Sequence, residues 1–113
     1  IRIWLNLTPL WLDERLSGLA QKKALDMATY DYVGHTTHSG MGIIDFATSQ
    51  NIAINGGIGE NVAGWNVSDL NLQEGLEESG SHRHNMIDER WKKVGIGYVL
   101  KNGKTYLVQL FGE

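Results

Sequence analysis

The sequence predicts a single α+β domain in which helices cover a small sheet that closes with an antiparallel hairpin. Three observations carry this. Apolar residues recur at helical spacing in the first third of the chain, two β-rich runs flank an Asn-Gly pair at its end, and 113 residues with 42% hydrophobic composition suffice for one core but not two.

The elements follow in order. From Asp13 to about Tyr32, Leu16, Leu19, Ala20, Ala24, Met27 and Ala28 recur three and four residues apart, with Glu14, Arg15, Lys22, Lys23 and Asp26 as the polar residues between them. Asp13 is placed to cap this helix. Gly34, Gly40 and Gly42 then break the pattern, and a short second helix over Ile43 to Ser49 would bury Ile43, Phe46 and Ala47. The run Asn55-Gly56-Gly57-Ile58-Gly59 is too glycine-rich for regular structure, and Glu60 to Trp65 reads as a short strand after it. Ser68 or Asp69 can cap a third helix that carries Leu72 and Leu76 on one face and ends before Gly80. Last, Val94 to Leu100 and Thr105 to Phe111 are strands joined through Lys101-Asn102-Gly103-Lys104, where Asn102-Gly103 supplies the positive φ angles of a two-residue type I′ turn.

Composition narrows the function classes. A formal net charge of −3 with scattered lysines and arginines gives no basic stripe to neutralise phosphates, so no nucleic acid partner is expected. The absence of cysteine removes both a disulfide framework and a thiolate zinc site. No apolar run approaches bilayer-spanning length, and the first residue is Ile1 rather than methionine, so a processed or trimmed chain is expected.

All four histidines fall in two glycine- and serine-flanked clusters, Gly34-His35-Thr36-Thr37-His38-Ser39-Gly40 and Ser79-Gly80-Ser81-His82-Arg83-His84-Asn85, with Gly59-Glu60-Asn61 between them. Histidine is the commonest neutral metal ligand and a proton carrier near neutral pH, so these clusters plus one carboxylate suggest one polar site. Two imidazoles and Glu60 would leave a coordination position open for water, as in catalytic zinc sites. The competing reading is of solvated loop histidines or of histidines hydrogen-bonded to backbone groups, because spacing alone supplies no convergence. Glu60 can equally be a ligand, a general base or a structural carboxylate. Ser79 and Ser81 precede His82, but a serine nucleophile needs a base held across from it, not adjacent in sequence. Glu74, Glu77 and Glu78 read as a solvated acidic face, and Trp4, Trp11, Trp65 and Trp91 as core or rim packing.

Several of these segments together resemble the CAP superfamily of cysteine-rich secretory proteins, venom antigens and plant pathogenesis-related proteins, and in particular its compact cysteine-free bacterial branch. The residues are Arg2-x3-Asn6-Leu7-x-Pro9-Leu10, Gly34-His35 with Gly40 five beyond, Gly59-Glu60-Asn61-Val62-Ala63, Ser79-Gly80-Ser81-His82-Arg83-His84-Asn85-Met86, Val94-Gly95-Ile96-Gly97 and Tyr106-Leu107-Val108-Gln109-x-Phe111-Gly112. The motifs keep the family's order across nearly the whole chain.

The resemblance implies a three-layer α-β-α sandwich with a small central antiparallel sheet and a cleft in which His35, Glu60 and His82 converge. His38, His84, Asn61 and Ser79 become cleft neighbours. Many eukaryotic members carry a second acidic cleft residue three positions after a helix tryptophan. The matching positions here are Leu76 for the tryptophan and Ser79 for the acid, a departure that weakens a four-residue site and leaves Glu77 or Glu78 as the acids that could compensate. The family's first helix begins before the arginine matched by Arg2, so a start within that helix is expected.

The leading expectation is a monomeric extracellular or cell-surface binding module. Its cleft would take a small ligand, a lipid or a divalent metal such as zinc, and its surface another extracellular protein; no catalysis is assigned. The alternatives are a zinc-dependent hydrolase or peptidase, with His35 and His82 on the metal and Glu60 on the water, and a structural surface domain with a vestigial cleft.

Overall fold

The structure is a computed structural model that describes residues 10–66 and 90–113. Within them the chain forms β1 (Trp11–Leu12), α1 (Glu14–Tyr30), α2 (Ile43–Ser49), β2 (Ile58–Asn66), β3 (Lys93–Lys101) and β4 (Lys104–Gly112). The four strands make one sheet in the order β1-β3-β4-β2.

The long helix starts where its cap residue predicts. Asp13 is extended and its carboxylate accepts the Leu16 amide at 2.9 Å, satisfying one of the first-turn N–H groups that have no partner inside the helix. Glu14 adds a negative charge at the positive end of the helix dipole. The helix stops at Asp31, which takes the left-handed conformation at φ 50° and accepts a hydrogen bond from the Tyr106 hydroxyl on β4. Its buried face is Leu16, Leu19, Ala20, Lys23, Ala24, Met27 and Ala28, the expected apolar row with one lysine inserted. The short helix α2 has the predicted bounds and buries Phe46 and Ala47, with Ile43 partly buried against the same core.

The terminal hairpin follows the turn chemistry. Asn102 and Gly103 have φ of 53° and 76°, the pair of positive angles that lets β3 and β4 reverse in two residues, and Lys101 pairs with Lys104. On its other side β4 pairs antiparallel with β2 from Gly112 opposite Ile58 to Lys104 opposite Asn66. That pairing draws Ile58 and Gly59 into the strand, although the glycine-rich run containing them reads as irregular from sequence. β1 has no counterpart among the sequence expectations either: Trp11 and Leu12 lie parallel to Lys93 and Val94, so the sheet is antiparallel except at this two-residue edge.

Alternation along β4 divides the core between the two faces of the sheet. Tyr106, Val108 and Leu110 pack with Val62, α1 and α2, whereas Leu107 and Phe111 pack with Ala63 and Trp91 on the opposite face. The helical layer sits very close to the sheet at β3. A β-carbon on Gly95 would lie 2.1 Å from the Leu16 carbonyl carbon, and one on Gly97 would lie 2.3 Å from the Gln21 nitrogen. The Val-Gly-Ile-Gly segment is therefore the seat of α1 on the sheet. Of the described tryptophans, Trp91 is in the core, Trp65 is partly buried beside it, and Trp11 is exposed at the sheet edge. The predicted third helix, over residues 68–79, lies outside the described residues.

Candidate functional site

The site is built where α1, β2 and the loop between α1 and α2 meet. Lys23 continues the apolar row of α1, four residues after Leu19 and four before Met27, so helical geometry turns it into the core rather than to solvent. It is fully buried. This corrects the reading of Lys23 as one of the polar residues between the apolar positions of the helix. Its phase with Leu19 and Met27 was the available signal. Burying an ammonium is tolerable only with a counter-charge and acceptors, and both are present. Lys23 Nζ donates to the Gly34 carbonyl at 2.9 Å and to Glu60 Oε2 at 3.2 Å.

Glu60 projects from β2 toward α1, on the face that also carries Val62, and its side chain is only 6% exposed. Its second oxygen, Oε1, lies 2.7 Å from His35 Nδ1. The His35 side chain is 68% exposed, so the array runs from a buried cation through a buried carboxylate to an imidazole at the surface. Lys23 thereby grips the loop at the residue before His35 while its ion pair reaches His35 through Glu60.

A second carboxylate holds the same loop three residues further on. Asp26 is nearly one turn beyond Lys23; its Oδ1 lies 2.5 Å from His38 Nδ1, and its Oδ2 accepts the His38 amide at 3.0 Å and the Tyr32 hydroxyl. The His38 ring stacks on Tyr30 with centroids 3.7 Å apart and planes 13° from parallel. Burial pushes the Asp26 carboxyl up, but the bonds from Tyr32 and His38 outweigh it and leave the group below the usual carboxylate range. Tyr32 moves the other way. Burial first, then its bond to Asp26 and the negative charges of Asp26 and Glu60, raise its phenol far above the ordinary value. Thr37 is buried between the two histidines, and its amide donates to the Met41 carbonyl at 2.8 Å, closing the loop on itself.

The predicted residues are thus sorted. His35 and Glu60 come together. His38 has its own carboxylate and borders an open groove of about 320 Å³ with Leu25, Tyr30 and Phe46. Asn61 does not join His35: strand alternation turns it to the opposite face from Glu60, where it is 1% exposed and its amide donates to Gln109 Oε1 at 3.1 Å. Ser79, His82 and His84 lie outside the described residues. Among the described residues no three histidine or carboxylate side chains gather as a metal-binding set. The two nominated donors face each other, and the other oxygen of Glu60 faces an ammonium. Within this part of the chain the fit to zinc is therefore limited to one imidazole nitrogen, with Glu60 as the carboxylate that orients a histidine ligand from behind. A separate cavity of about 340 Å³, between the start of α1 and the end of β4, holds none of the nominated residues.

The family model of the CAP, or cysteine-rich secretory protein, family matches residues 1–111. The chain belongs to the CAP family. This CAP domain is 29% identical over 108 residues to the uncharacterized protein YkwD of Bacillus subtilis, covering 96% of the chain but 41% of that protein. Two solved structures share its fold. An extracellular SCP-domain protein from Bacillus anthracis superposes with a TM-score of 0.84 at 22% identity, over 99% of this chain and 36% of that one. An outer surface protein from Borrelia burgdorferi gives 0.85 at 23% identity, over 99% of this chain and 83% of that one. The CAP domain thus spans about two-fifths of YkwD and about a third of the Bacillus anthracis protein. It has no cysteine despite the family's name, so packing and hydrogen bonding hold it without disulfides. Among the described residues no helix is long and apolar enough to cross a membrane.

Proposed function

We propose that this CAP domain is a secreted or cell-envelope binding module, with His35 as its ligand-facing residue. The observation that carries the reading is the exposed His35 imidazole held at 2.7 Å by a buried carboxylate that is itself paired with a buried lysine. A solvated loop histidine needs no such support, whereas a histidine that meets a ligand gains from being held in one orientation. His82 joins this site on the strength of its motif. The expected occupants are a small polar ligand, a lipid headgroup or a divalent ion such as zinc, and the surface around the cleft would meet another extracellular protein. The extracellular and outer-surface structures that share the fold support the location.

The hydrolase reading draws less support, because Glu60, which would have to activate water, spends its oxygens on Lys23 and His35. Calorimetric titration with zinc and with lipid vesicles, on the parent domain and on His35→Ala and His82→Ala, tests the proposal. Binding that either substitution weakens at least about tenfold is expected. Binding that neither substitution changes, or none at all, would leave the cleft vestigial and end this reading.

A further inference from the structure

We propose that Lys23, acting through Glu60, fixes the proton of neutral His35 on Nδ1, so that the ring offers its ligand the bare lone pair of Nε2. The inference rests on His35 facing the ligand, as proposed above, and adds which chemistry it can accept there.

The argument is an accounting of donors and acceptors. An ammonium only donates. Lys23 is fully buried, and it donates to the Gly34 carbonyl at 2.9 Å and to Glu60 Oε2 at 3.2 Å. In this ion pair Glu60 is a carboxylate, and a carboxylate only accepts. Its Oε1 lies 2.7 Å from His35 Nδ1, so the hydrogen in that contact belongs to the imidazole. A neutral imidazole carries one N–H, which leaves Nε2, on the part of the ring away from Glu60, as an acceptor. In free solution either nitrogen can hold the proton; here a charge buried behind the ring makes the choice.

Two consequences follow. The site favours ligands that accept an electron pair, an O–H or N–H donor or a Lewis-acidic cation, over oxyanions and carbonyls, which would meet lone pair against lone pair. Lys23 is also a positioning residue twice over, because it sets the partner of His35 and holds the carbonyl of the preceding residue. It does so from the core, without touching the ligand. The adjacent Lys22 is exposed on α1 and has no such part.

The test reads the tautomer directly. Nitrogen-15 NMR of the ligand-free, metal-free domain at about pH 9, on the neutral side of ordinary imidazole titration, distinguishes Nδ1–H from Nε2–H. The parent should show His35 mainly as Nδ1–H, Lys23→Met should move the ratio toward Nε2–H by about tenfold or more, and Lys23→Arg should retain the parent form. A purely structural lysine would alter stability and leave the tautomer alone. The inference is overturned if the parent is Nε2–H or if folded Lys23→Met keeps the parent ratio. Should Lys23→Met not fold, the parent and Lys23→Arg decide: Nδ1–H in both supports the inference, and Nε2–H in either overturns it. Nδ1–H with no detectable ligand would remove the functional reading and leave this assignment standing, whereas ligand binding at an Nε2–H ring would do the reverse.

Discussion

Gly97→Ala is expected to loosen the whole helical layer, and with it the site. A β-carbon at this position would stand 2.3 Å from the Gln21 nitrogen and 2.4 Å from the Ala20 carbonyl carbon, where ordinary contact begins near 3.4 Å. Both obstacles are backbone atoms of α1, so no rotamer change can relieve the overlap. The helix must retreat by about 1 Å, lifting Leu19, Ala20, Ala24 and Met27 from a close-packed interface. The same retreat stretches the Lys23 to Glu60 contact from 3.2 Å beyond hydrogen-bonding range. Overpacking of this kind costs about 3 kcal/mol when the backbone cannot evade it. For a domain of this size that corresponds to a Tm lower by roughly 10–15 °C. Urea and thermal unfolding followed by circular dichroism measure both quantities. The same substitution at Gly18, on the exposed side of α1 with no atom within 4 Å of its β-carbon, should instead stabilise by about 0.5–1 kcal/mol through helix propensity. If Gly97→Ala stays within about 0.5 kcal/mol of the parent, the claim that α1 rests directly on β3 fails.

Three further outcomes are expected. Asp13→Ala removes the acceptor of the Leu16 amide and should cost about 1 kcal/mol in urea unfolding, with no change at the hairpin. Asp26 is held below the ordinary carboxylate range when folded, so its stabilising contribution is full above the unfolded value of about 3.9 and is lost as pH falls through the lower folded value. The stability difference between the parent and Asp26→Asn should therefore shrink in acid below about pH 4; a difference that grows there refutes the assignment. Gln21 spans the outer edge of β3, accepting the Tyr98 amide at 3.0 Å and donating to the Tyr98 carbonyl at 2.9 Å, where a neighbouring strand would otherwise pair. Gln21→Ala should speed amide exchange at Tyr98 roughly fivefold or more, about the worth of one hydrogen bond, and unchanged exchange would show the edge to be protected by other means.

Much of the fold was legible because its signals are local. The Asp13 cap, the apolar row of α1, the bounds of α2 and the Asn102-Gly103 turn each depend on a few adjacent residues, and each appears where those residues place it. β1 is illegible in the sequence because two residues carry no period, and the start of β2 is masked because pairing with Gly112 and Phe111 overrides the irregularity of a glycine-rich run. At the site, motif order nominated His35 and Glu60, and the structure brings them together. Asn61, their neighbour in the motif, went to the other face through the two-residue alternation of a strand.

The sequence by itself determined the start of α1, the bounds of α2, the hairpin turn, the family, and two of the residues that meet at the site, because these are carried by local chemistry and motif order. Only the tertiary structure decided that Lys23 is a core residue, that Glu60 is shared between an ammonium and an imidazole, and that His38 answers to Asp26 instead. The physical reason is that a charge inside a protein is defined by its partners. The partners of Lys23 are 11 and 37 residues away along the chain, brought within hydrogen-bonding distance by the packing of α1 on the sheet.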